Sequence, residues 1–201
     1  MNMNVEKVDI KPGDFPNDLN WTSDKAIGSL DLLYDFANAE CKKAIEWYYR
    51  GKRGKLIAGY IFRVGSIIAL VVSGIIPVLG EIFKKNDVPG ISPAWATISL
   101  AVFGLFIALD RFGGYTSGWI RYITSGQALS DLQSDFRVEW EKYRLSVETG
   151  PLDTALVQQG IERCKIFLSQ VHLIVKSETD QWAQEFKKAL LELEDSGKKQ
   201  G

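Results

Sequence analysis

The chain has 201 residues, a formal net charge of −1 and a single histidine, enough for one domain or two small ones, with no global charge bias toward nucleic acid. Its mean hydropathy of −0.06 would suit a soluble protein, but that average hides a clustering: from Leu56 to Gly80 the only charge is Arg63, and from Val88 to Leu109 there is none. The two cysteines, Cys41 and Cys164, lie far apart with no paired spacing; this excludes a disulfide framework and points to small buried apolar residues on a reducing, cytoplasmic side.

In chain order, residues 1–20 carry Pro12, Gly13, Pro16 and several Asp and Asn. They read as a flexible arm, too polar for a cleavable signal peptide. A cytoplasmic helix is expected over 21–50, opened by Ser23 and Asp24, both good N-cap types. Ile27, Leu30, Tyr34, Ala37, Cys41, Ala44 and Tyr48 recur at spacings of three and four, the seam of a helix packed on another. Trp47, Tyr48 and Tyr49 precede Arg50-Gly51-Lys52-Arg53-Gly54-Lys55, and aromatics followed by basic residues mark the cytoplasmic side of a membrane interface, where this helix should end.

A transmembrane hairpin is expected over 51–125, with spans at about 56–83 and 91–112. Each apolar window reaches the roughly 20 residues that cross hydrocarbon at about 1.5 Å per residue. Gly65, Ala69 and Ser73 give the first span a face of small residues, and Ala101, Gly104 and Ala108 do so for the second; such faces let helix backbones approach closely in lipid. Pro77 removes the hydrogen bond to the Ser73 carbonyl and should kink the first span. The polar stretch Glu81–Pro93 is too short to be a domain, so the spans should run antiparallel. With Gly80 and Pro93 flanking the turn, Arg63 stands level with Asp110. An arginine inside the membrane is costly, and pairing with Asp110, in competition with plain snorkelling to the headgroups, would relieve the cost. After the second span, glycines mix with Phe112, Tyr115, Trp119 and Tyr122. This is an interfacial break or a short helix continuation, with Trp119, Arg121 and Tyr122 joining Trp47 and Tyr48 as interface anchors.

Residues 126–201 are expected to form cytoplasmic helices. Leu129, Leu132, Phe136, Tyr143 and Val147 make one amphipathic stripe with Trp140 beside it, stopped by Thr149-Gly150-Pro151. A last helix from about 152 to 194 keeps coiled-coil spacing through Val157, Ile161, Cys164, Leu168, Val171, Val175, Trp182, Ala189 and Leu193, with Glu178 and Glu185 interrupting it. Leu168, Val171 and Val175 are the expected centre of a self-association seam, and the residues from Ser196 onward a frayed tail. Arg50, Lys52, Arg53 and Lys55 precede the hairpin and Arg111 and Arg121 follow it, against Lys84 and Lys85 in the turn. That bias predicts both termini in the cytoplasm. The fold class is therefore an all-α membrane protein, a two-helix hairpin flanked by cytoplasmic amphipathic helices.

No inventory for catalysis emerges. His172 is alone, no Cys/His/Asp/Glu spacing suits a metal, and Gly113-Gly114 with Gly118 follow no strand that would make a phosphate loop. The expectation is a non-enzyme without cofactors.

AIEWYYRGKRGK, then Arg63 in a Pro-containing span, then SPAWATISLA, GGYTSGWIRY and SETDQW, in that order, resemble the SLATT family over about residues 25–185. That resemblance implies a two-span protein found beside nucleotide-second-messenger synthases or nucleotide sensors. It also implies an effector of bacterial anti-phage defence that forms an oligomeric pore in the inner membrane and kills or arrests the cell. It brings no catalytic residues. The expected partners are the lipid bilayer, further copies of the chain and a separate synthase or sensor protein, and no nucleic acid. The alternative from the residues alone is a passive anchor that docks a soluble partner at the cytoplasmic face.

Overall fold

The computed structural model describes residues 10–22, 24–85, 92–150 and 153–198. The fold is all-α, with four helices among the described residues: α1 (Ala26–Lys85), α2 (Ala94–Gly113), α3 (Tyr115–Thr149) and α4 (Thr154–Lys198). The chain divides into two compact units. Unit 1 holds residues up to 51 together with 121–180, and unit 2 holds 52–120 together with 181–201. The part of α4 beyond Asp180 groups with the apolar hairpin in unit 2.

Helix boundaries differ from those read off the sequence in informative ways. The first helix does not end after Tyr49, because α1 runs without a break to Lys85. Lys and Arg are good helix formers, and a glycine costs only about 1 kcal/mol in a helix interior. One of the two glycines also makes room for a neighbour: a Cβ on Gly51 would stand 2.7 Å from the Tyr122 ring and force it to shift. Ser23, expected as a cap, and the turn from Asn86 to Ile91 lie outside the described residues, as do the tail residues 199–201. Short of that tail, α4 stays helical through Lys198. Its N-terminus is capped by Asp153, whose Oδ1 accepts from the Leu156 N–H at 2.8 Å.

Unit 1 is a packed helical bundle. Leu30, Ala37, Cys41, Ala44 and Tyr48 of α1 meet Leu129, Phe136, Trp140, Tyr143 and Val147 of α3 and Cys164, Phe167 and Val171 of α4 in one core. Ile27, placed in the seam by spacing, is instead 46 % exposed. Trp140 does not sit beside the α3 stripe but at its centre, 2 % exposed, with Tyr34 stacked on it at 4.8 Å between ring centroids. Phe167, absent from the predicted seam, stacks on Phe136 at 3.9 Å. Leu168, Val171 and Val175 turn toward this same core, Val171 buried and the other two partly so. Within the chain these three positions line the unit 1 core. Burial among apolar neighbours pushes the Cys41 thiol up to about 11 and the Cys164 thiol to about 12.

Unit 2 reverses the pattern. Its interior line on α1 is made of small residues: Gly59, Gly65, Ser66 and Ala69 are covered or half-covered, while Ile57, Ile61, Ile67, Ile68, Val71 and Val78 point outward, each more than half exposed. A Cβ on Gly65 would stand 2.5 Å from the Phe106 ring of α2. Ser99 of α2 donates its hydroxyl to the Ala69 carbonyl at 2.7 Å. Together these fix α2 against α1 through the small face predicted for the first span, with Ser73 half-buried farther along it. The matching face of α2 is not the predicted one. Ala101, Gly104 and Ala108 are all exposed, and nothing lies within 4 Å of a Cβ on Gly104. The face turned to α1 is Ser99, Val102, Phe103, Phe106 and Asp110, because aromatic rings fill the room that the α1 glycines leave.

Both hairpin helices are long and apolar enough to cross a membrane. Only 17 % of the apolar window of α1 and none of that of α2 is buried. A core helix of a soluble protein would be largely covered; these are not.

Candidate functional site

The densest polar geometry of unit 2 lies where α2 ends. Gly114 closes α2 with φ at +55°, its N–H bonded to the Asp110 carbonyl. Only glycine adopts this left-handed conformation cheaply, so the sequence can reverse direction in one residue and start α3 at Tyr115. Of the two readings of this stretch, break and continuation, the structure has a one-residue break followed at once by helix.

Asp110 caps that new helix. Its Oδ1 accepts from the Thr116 N–H at 3.3 Å, and both carboxylate oxygens stand 3.1 Å from the Thr116 hydroxyl. An anion is favoured at a helix N-terminus, where unpaired N–H groups and the helix dipole point at it. Arg63 Nε stands 3.8 Å from Asp110 Oδ2, on the level expected from the hairpin count. The two ends of this contact differ: the Arg63 side chain is 66 % exposed and that of Asp110 19 %. The contact is longer than a hydrogen bond. Asp110 is thus held chiefly by Thr116, and Arg63 reaches toward it from an open surface.

Residues of α4 complete the site. Glu185 Oε2 accepts from the Ser117 hydroxyl at 2.7 Å, Glu192 pairs with Arg111 at 2.6 Å, and Phe186 packs between Phe112 and Trp182, with centroids at 5.6 and 5.7 Å. An open cavity of about 580 Å³ lies among these groups, with Lys188 on its wall. Thr116, Ser117, Lys188 and Glu192 were missed by sequence reasoning. One signal was present: Glu178, Glu185 and Glu192 follow Cys164 and Val171 at intervals of seven, so the apparent interruptions continue the seam in polar form.

The first of those glutamates belongs to unit 1. Glu178 Oε1 stands 3.3 Å from Arg121 Nε, and the two side chains are 8 % and 7 % exposed. Arg121 is therefore no headgroup anchor but half of a buried ion pair, and Tyr48, 0 % exposed, is likewise a core residue. Trp47 and Tyr122 are half-buried and packed on each other in unit 1, and Trp119 of unit 2 is half-buried. Burial raises the pKa of Tyr48 and of Tyr122, and the nearby Glu178 carboxylate adds to both.

Among the described residues no group of three His, Cys, Asp or Glu side chains is placed to hold a metal ion. His172 is exposed on α4. The arrangement clamps helices together and presents charge beside an apolar surface.

A family model described as "SMODS and SLOG-associating 2TM effector domain 2" matches residues 9–199, nearly the whole chain. No curated protein and no solved structure matches the chain.

Proposed function

Because this chain belongs to the family of SMODS and SLOG-associating two-transmembrane effector domains, we propose that it is the membrane effector of a bacterial anti-phage defence system. Copies assemble in the inner membrane and, on a signal from a separate nucleotide-second-messenger synthase or sensor, open a path for ions that kills or arrests the cell. The observation that carries this reading is the outward-facing hairpin. Two helices cannot enclose a water path by themselves, and no residue in the apolar window of α2 is fully buried. Its small residues Ala101, Gly104 and Ala108 face away from α1, a surface on which a neighbouring hairpin can pack closely. Arg50, Lys52, Arg53 and Lys55 before the hairpin and Arg111 after it outnumber Lys84 and Lys85 in the turn, which favours both termini in the cytoplasm even with Arg121 engaged in its ion pair.

The test is potassium release from liposomes carrying the purified chain at increasing protein-to-lipid ratio. The expected result is release that rises more steeply than in proportion to protein, as assembly requires. A chain that inserts at every ratio yet releases no more ion than empty liposomes overturns the pore reading. It would favour instead a membrane anchor that docks a soluble partner.

A further inference from the structure

We propose that the pocket between the N-terminal arm and α1 in unit 1 binds the phosphate of an anionic phospholipid headgroup, of the phosphatidylglycerol type. The arm reaches this place because it is tied antiparallel along α1. Gly13 donates its N–H to Glu40 Oε1 at 2.9 Å, and Phe15 meets Phe36 edge-on at 5.4 Å between ring centroids. Asn20 exchanges two hydrogen bonds with the Ser29 hydroxyl, at 2.7 and 2.8 Å. Arm numbers fall as α1 numbers rise, so the residue before Pro12 lies beside the stretch of α1 that follows Glu40. Lys11 therefore lines one pocket with Lys43 and Arg50.

The charges of this pocket leave a positive excess. Lys43 gives one of its three donors to Glu40 at 2.8 Å. The side chains of Lys11 and Arg50 are on exposed residues and make no hydrogen bond or ion pair among the described residues. Two carboxylates also line the pocket, Asp14 and Glu46, and Glu46 faces Lys42 at 4.0 Å. Only Asp14 stands uncommitted against the two open cations, and charge-assisted contacts from a lysine and an arginine suit a phosphate. The volume of about 440 Å³ is within the range of small-molecule sites. Trp47 supplies an apolar wall on which the glycerol part of a lipid can rest.

The sequence favours a lipid as the source of that phosphate over a soluble ester. Arg50 opens the run Arg50-Gly51-Lys52-Arg53-Gly54-Lys55, which ends one residue before the apolar window at Leu56. A basic run immediately cytoplasmic of a spanning helix draws anionic headgroups. A zwitterionic headgroup brings its own cation toward Lys11 and Arg50 and gains less from them. The inference rests on the bilayer placement and orientation in the proposed function, not on pore opening.

The full chain is reconstituted into nanodiscs of phosphatidylglycerol, phosphatidylethanolamine and phosphatidylcholine in equal parts. It is then re-extracted in mild detergent, and the retained lipid is counted by headgroup with mass spectrometry. Expected is about one phosphatidylglycerol per chain, enriched about fivefold over either other lipid, the scale of one exposed charge contact. Lys11→Gln and Arg50→Gln, which remove no contact among the described residues, should each abolish most of that enrichment. Lys176→Gln, which removes the same charge from an exposed residue of unit 1 that does not line the pocket, should leave it unchanged. Equal retention of the three lipids, a preference for a zwitterionic one, enrichment unchanged by Lys11→Gln and Arg50→Gln, or an equal loss from Lys176→Gln overturns the proposal. In a second arm the lipid-stripped chain is titrated with glycerol 3-phosphate, and no saturable binding is expected. Saturable binding that Lys11→Gln removes would assign the pocket to a soluble phosphate ester and overturn the lipid source. No ion flux is read, so a chain without pore activity still tests the site. A chain that does not enter the nanodiscs would overturn the bilayer placement as well.

Discussion

Units 1 and 2 solve the same problem, burying helix faces, with opposite residues. Unit 1 puts Trp140, Tyr48, Leu129 and Cys41 fully inside and leaves charges outside apart from the buried Arg121–Glu178 pair. Unit 2 sets glycine, serine and alanine of α1 against Phe106 and Ser99 of α2 and leaves Ile61, Ile67, Ile98 and Leu105 about half exposed or more. In water, burial of large apolar groups drives packing. In lipid the hydrocarbon outside is as apolar as leucine, so nothing drives large side chains inward, and close backbone approach decides the interface. The contrast matches a unit 1 that packs as proteins do in water and a hairpin suited to lipid.

The largest effects should come from truncating side chains on the two sides of that contrast. Trp140→Ala should cost unit 1 about 3–5 kcal/mol, read as a loss of its urea midpoint. Ile67→Ala, exposed on the hairpin, should leave unit 1 unchanged and alter detergent-solubilised unfolding little. An equal loss from both would mean that the hairpin is packed against protein rather than lipid. Next, Glu178→Ala should cost about 3 kcal/mol by stranding the buried Arg121 charge, while joint replacement of Arg121 and Glu178 by Met should recover most of that loss. Failure of the double variant to recover would show that the pair does more than fill space.

Alkaline pH probes unit 1 selectively. Cys41 and Cys164 have ordinary pKa values of 9.0, raised to about 11 and about 12 by burial. A raised thiol pKa means the folded form keeps protons that the unfolded form releases. The stability they contribute is complete below pH 9.0 and lost as pH rises toward 11 and then 12, by about 1.4 kcal/mol per pH unit for each thiol. Thiol labelling at pH 8 should be slow in the folded chain and fast in urea. Rapid labelling without denaturant would contradict the buried core. The smallest effect belongs to the hairpin: Arg63→Ala should cost no more than about 1 kcal/mol, as expected of an exposed contact, and Asp110→Ala more, because Thr116 and the α3 terminus lose their acceptor. Equal costs with strong coupling in a double-mutant cycle would show instead that the ion pair, and not the helix cap, governs the turn.

Much of this was legible beforehand because it depends on local spacing. The alternation of three and four from Leu30 to Tyr48 marks a buried helix face in any packed bundle, and a run without charges long enough to cross hydrocarbon has few other uses. The level of Arg63 with Asp110 followed from counting alone, since two antiparallel helices rise equally per residue. What escaped was anything set by a neighbour. Aromatics before a basic cluster read as a membrane boundary, but Tyr48 is taken up by the core. Arg121 read as an anchor, yet Glu178 buries with it.

The sequence by itself determined the all-α class, the apolar windows, the small face of α1 and the seven-residue rhythm along α4, because helical periodicity and transfer free energy act on residues one at a time. Only the tertiary structure decided which face of α2 meets α1, since that depended on Phe106 filling the space left by Gly65. It also decided what the α4 glutamates are for. Glu178, Glu185 and Glu192 occupy equivalent positions in the sequence, but their partners are an arginine, a serine hydroxyl and another arginine. A buried or clamped carboxylate is defined by the group opposite it, and that group comes from a distant part of the chain.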